Sequence, residues 1–143
     1  EFGEELTLAP HLRQRLQLVT KCGIATTARA ENKLGHYITD RRHIILSAEQ
    51  SLKNLATDYL DMLLLHRPDP LMDADDVAEA FQHLHQSGKV RHFGFSNFPP
   101  AQFTLLQSLL PFTLATTQVE ISQVPQPLFL DGNLKQLQQL RIL

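Results

Sequence analysis

The chain has 143 residues, a formal net charge of −2 from 13 basic and 15 acidic side chains, and an apolar share of 43% that suits a folded domain. That length allows one domain with its own core and leaves little for a second. The near-balance of charge offers no broad field for nucleic acid or an anionic membrane surface.

Cys22 is the only cysteine, which excludes an intrachain disulfide and a cysteine-rich metal site and fits a reducing, cytoplasmic setting. No run of about 18 apolar residues reads as a membrane span, and no basic stretch leading into an apolar one reads as a signal peptide. The chain opens on Glu1 without an initiator methionine and closes inside the apolar-periodic "LKQLQQLRIL", so a segment truncated at both ends is expected.

In chain order, four apolar runs read as strands. "LQLVTK" ends at Lys21, "DMLLLH" at His66, "VRHFGFSN" near Asn97 and "ATTQVEIS" near Ser122. The second is almost continuously apolar, the pattern of a strand covered on both faces in a parallel sheet. Residues 22 to 39, after the first strand, form a long polar loop, a place where α/β folds often keep function.

Between the strands the apolar period lengthens to three and four. Ile45, Ala48, Leu52 and Leu55 make a helical stripe that Asp40 can cap. Val77, Phe81 and Leu84 make a second, with Asp73, Asp75 and Asp76 at its start and Gly88 placed as a left-handed end. A third follows Pro99 and Pro100, carries Phe103, Leu106 and Leu110 inward, and stops at Pro111. Alternating strands and helices predict an α/β fold with parallel strands.

Polar residues cluster at the ends of the predicted strands. Lys21 ends the first, His66 the second, Ser96 and Asn97 the third, while Gln118 and Glu120 lie within the fourth. Each has an ordinary structural reading. Lys21 reads as a solvated surface charge, and His66 as a satisfied group before the "RPDP" turn. Ser96 and Asn97 read as helix caps, Gln118 and Glu120 as polar partners inside a barrel. Parallel strands would bring them to one edge of the sheet, where barrel and doubly wound enzymes hold their chemistry, and that joint placement favours a functional rim.

Other candidates carry less. His83 and His85 stand two apart on a helix and face different directions, no His-Glu-x-x-His or glycine-rich phosphate loop occurs, and no metal site is expected. Cys22 is expected to be a buried structural thiol.

The ordered set "VTKCG", "DYLDMLLLHRPDP", "GKVRHFGFSNF" and "QVEIS" resembles the aldo-keto reductases over almost the whole chain. The resemblance implies a partial (β/α)8 TIM barrel of about four consecutive parallel strands within a single domain over 1–143. It implies NADPH as cofactor and a small aldehyde or ketone as substrate. On the matching positions, Lys21 would lower the pKa of a catalytic tyrosine, His66 would orient the carbonyl and share in proton delivery, and Ser96, Asn97 and Gln118 would hold the nicotinamide carboxamide.

The family's catalytic tyrosine and the aspartate paired with its lysine have no counterpart here, since Tyr37 lies in the long loop and Tyr59 just before a strand. A full barrel needs about 250 residues. The 143-residue chain is therefore expected to be inactive alone. The alternative is a catalytically dead binding or regulatory subunit of the same architecture. An open doubly wound sheet satisfies the same periodicity.

Overall fold

The computed structural model describes residues 1–27, 33–119 and 133–139. Its centre is a four-stranded parallel sheet of β1 (Val19–Cys22), β4 (Leu60–Leu65), β5 (Val90–Ser96) and β6 (Thr116–Gln118), in that spatial order. The strands of this sheet follow one another in chain order with no reversal. The intervening helices α2 (Arg41–Leu55), α3 (Ala74–Gln86) and α4 (Pro100–Leu109) pack side by side, α2 against α3 and α3 against α4. A doubly wound sheet reverses its order and distributes helices over both faces. Sequential order with neighbouring helices is instead an arc of a (β/α)8 barrel.

The local reasons follow the sequence. Asp40 caps α2 by accepting from the His43 amide at 2.7 Å, and Asp73 caps α3 by accepting from the amides of Asp75 and Asp76. Gly88 has φ of +71°, the left-handed conformation expected of it. The buried stripe of α2 centres on Ile44, Ala48 and Leu52, with Ile45 and Leu55 half-buried beside it. α4 ends at Leu109; Leu110, expected inside it, is the buried C-cap before Pro111.

Between sheet and helices lies the core. Leu60, Leu63, Leu65, Phe81, Phe93 and Phe95 are completely buried, and the Phe81 and Phe93 rings stack with centroids 4.3 Å apart. Burying a side chain of this size contributes about 1.5 to 3 kcal/mol, so this layer dominates the stability of the arc.

Two differences from the expected elements matter. The long loop contains a short antiparallel pair, β2 (Ile24–Ala25) with β3 (His36–Tyr37). The first residues form a helix α1 (Phe2–Leu8) and a 3₁₀ turn (Pro10–Arg15), where no element was expected. The last helix, α5, spans Asn133–Gln139. The second half of the "ATTQVEIS" strand, with Glu120, lies outside the described residues.

Candidate active site at the sheet edge

Register decides which side chains meet. Partners in a parallel ladder share a face, so Lys21, Leu64, Gly94 and Thr116 form one row across the sheet. Ser96 pairs with Gln118 two residues further on, and extending the β4–β5 register by one residue sets His66 opposite Ser96. His66, Ser96 and Gln118 thus occupy one level on three adjacent strands. Lys21 faces the same side one level below, and parallel-strand spacing puts its Cα about 8 Å from that of His66. This face points away from the helices.

The four groups differ in environment. Ser96 is buried, His66 half-buried, Lys21 and Gln118 exposed. The His66 amide donates to the Cys22 carbonyl at 2.9 Å, tying the end of β4 to the end of β1. Its imidazole is held below its ordinary 6.5, by burial first and then by the positive charges of Lys21 and Arg67. The ring is accordingly neutral at pH 7, with one N–H to give.

Asn97 follows Ser96 with φ of +59°, a left-handed conformation uncommon for a residue with a side chain. Its amide donates to the Gln118 carbonyl at 2.7 Å, and its Nδ2 lies 3.4 Å from Ser96 Oγ. The turn after β5 is thus tied to the end of β6, bringing a hydroxyl and two residues with side-chain amides to one end of the sheet.

Cys22 lies on the opposite face. Burial pushes its thiol up to about 12, so it has no thiolate character at neutral pH. Tyr59 sits at the other end of the strands, its ring between the guanidinium carbons of Arg13 at 3.7 Å and Arg91 at 3.8 Å. A cavity of about 360 Å³ that Lys21 borders is shared with the hairpin and α2, through His36, His43 and Ser47, and its lining does not include His66, Ser96 or Gln118. Among the described residues no cluster of three or more His, Cys, Asp or Glu could hold a metal. No described helix is long and apolar enough to cross a membrane.

The aldo/keto reductase family model matches residues 1–138. The chain belongs to the aldo/keto reductase family. Members are oxidoreductases that use nicotinamide cofactors on small-molecule carbonyl substrates. The chain is 79% identical over 141 residues to Oxidoreductase YdhF of Escherichia coli (strain K12), covering 99% of this chain and 47% of that protein. It is 44% identical over 143 residues to a 6-dehydroglucose reductase of Agrobacterium fabrum, covering 99% and 48%.

Among solved structures it resembles the glycerol dehydrogenase AKR11B4 from Gluconobacter oxydans, with a TM-score of 0.82 and 26% identity over 99% of this chain and 42% of that one. As an aldo/keto reductase segment, the chain spans about half the length of the curated relatives it matches. The four parallel strands among the described residues are half the strands of such a barrel.

Sequence reasoning passed over two residues close to this edge. Thr39 and Asp69 are buried and hydrogen-bonded to each other. The signal available was an aspartate flanked by prolines directly after His66, read only as a turn.

Proposed function

We propose that the chain is the central part of an NADPH-dependent carbonyl reductase, with Lys21 and His66 serving catalysis and Ser96, Asn97 and Gln118 serving cofactor binding. The observation that carries this reading is the shared level of His66, Ser96 and Gln118, with Lys21 one level below on the same face.

A buried hydroxyl and two amides on adjacent strand ends suit a carboxamide, which both donates and accepts hydrogen bonds. Nicotinamide, when bound, supplies a hydride to the carbonyl carbon. As charge develops on the carbonyl oxygen, the neutral His66 imidazole donates its N–H to that oxygen. The Lys21 ammonium favours the ionised form of a phenol, bringing an acid of pKa about 10 nearer to working pH. That phenol and the aspartate beside the lysine come from residues beyond these 143, because Tyr59 is at the wrong end of the sheet and Tyr37 is in the hairpin. The isolated chain is therefore inactive in this reading. NADPH in preference to NADH rests on the family resemblance, and the relative named 6-dehydroglucose reductase supports a carbonyl substrate.

The test is a chimera in which this chain replaces its 79%-identical counterpart in E. coli YdhF. Aldehyde-dependent NADPH oxidation is expected, with His66→Gln and Lys21→Met each lowering kcat by about 100-fold or more. The 143-residue chain alone should show no turnover. A chimera that binds the nucleotide but keeps the same negligible turnover with or without His66 would point to a regulatory subunit instead.

A further inference from the structure

We propose that Asp69 is a positioning residue, acting through Thr39 to hold His66 in place beside Lys21. The inference rests on reading His66 as the group that meets the carbonyl.

Asp69 is 8% exposed and Thr39 5%, and both are polar. A carboxylate is rarely buried unless its oxygens are satisfied. Both oxygens of Asp69 are used: Oδ2 accepts from Thr39 Oγ1 at 3.1 Å and Oδ1 from the Leu71 amide at 2.9 Å. The Asp69 carbonyl also accepts from the Met72 amide at 3.1 Å. Pro68 and Pro70 fix φ on either side, so the loop leaving His66 has little freedom of its own.

From Thr39 the path returns to β1. Ile38, its neighbour, donates its amide to the Gly23 carbonyl at 3.2 Å. Gly23 has φ of +94°, and a Cβ there would come within 3.4 Å of Thr39 Cγ2 and 3.7 Å of Leu65 Cδ2. The His66 amide closes the circuit on the Cys22 carbonyl at 2.9 Å.

The contacts therefore form a ring: from the segment after Lys21 to Thr39, across to Asp69, back along the chain to His66, and over to Cys22. A single sheet bond would fix only the His66 backbone amide. The second side of the ring, through the buried hydroxyl and carboxylate, fixes the loop from which the imidazole leaves. Thr39 also directly precedes the Asp40 cap, so α2 anchors the hydroxyl.

The test follows the His66 imidazole by NMR titration in the full chain, and follows kinetics in the YdhF chimera. Opening the ring should let water reach the imidazole. In Thr39→Val and in Asp69→Ala its midpoint should rise toward its ordinary value. The double variant should shift no further than Asp69→Ala alone, because the Thr39 bond is already lost there. Thr39→Ser, which keeps the hydroxyl, should behave as the parent.

In the chimera the same variants should lower kcat by about 10- to 100-fold with nucleotide Kd unchanged, a split that general loosening of the fold would not give. Thr39→Val is nearly isosteric and carries the test if Asp69→Ala does not fold. An unmoved His66 midpoint together with unchanged kcat overturns the proposal. A His66→Gln chimera of full activity would overturn the functional reading instead, and would leave the NMR result standing.

Discussion

At His66 two influences act in the same direction. Partial burial at the strand end penalises a charged ring, and the cations Lys21 and Arg67 penalise it further. Both favour the neutral imidazole, which is the form that donates an N–H without carrying charge into the site. The folded-state value lies below the unfolded one, so the unfolded chain binds the proton more readily as pH falls. Stability is then fully present above about pH 6.5 and declines as pH drops through the folded value. Thermal unfolding followed from about pH 7.5 down to about pH 5 should show a falling Tm, and His66→Gln should flatten part of that fall.

At the scale of elements, the two ends of the sheet are held by different devices. The helix-side core binds the strands to α2, α3 and α4, and α1 rests on α2 through Gly3 and Leu6, but the 3₁₀ turn is fastened through Arg13. That side chain is 11% exposed and lies 2.9 Å from Asp61. It donates to Thr57 Oγ1 at 2.8 Å, to the Leu16 carbonyl at 3.0 Å and to the Tyr59 carbonyl at 2.8 Å. A lysine cannot present this fork. Arg13→Lys should lower the unfolding free energy by about 1 to 3 kcal/mol, read as a lower urea midpoint, because Asp61 and the Tyr59 carbonyl lose close donors.

Between β5 and β6 the device is a missing side chain. A Cβ on Gly94 would run into the Thr116 carbonyl oxygen and come within 2.9 Å of Leu64 Cδ2. Gly94→Ala should therefore spread β5 from β6 and cost about 1 to 3 kcal/mol. Because the spread lies one level below Ser96 and Gln118, it should also weaken nucleotide binding in the chimera, measurable by fluorescence titration.

For the molecule as a whole, much of the architecture was legible in the order of apolar periods. Apolar runs ending at Lys21, at His66 and near Asn97 alternate with three-and-four stripes, and that pattern becomes parallel strands with helices between. The helix ends were legible too, since Asp40 and Gly88 act within one turn of chain. α1 was not, because its register on α2 depends on Gly3 lying where any Cβ would strike the Asn54 carbonyl, a contact some fifty residues away in the chain. The β2–β3 pair was hidden for a similar reason: each strand is two residues long, too short to show a period.

By itself the sequence determined the residue types available to the candidate site and the alternation that makes an α/β sheet, since both depend on local spacing and side-chain chemistry. Only the tertiary structure decided that the strands keep sequential order, that His66, Ser96 and Gln118 stand on one level with Lys21 below, and that Thr39 closes on Asp69. Level and face come from hydrogen-bond register between strands, where a slip of one residue turns every side chain to the other side. No spacing within a single strand records that register.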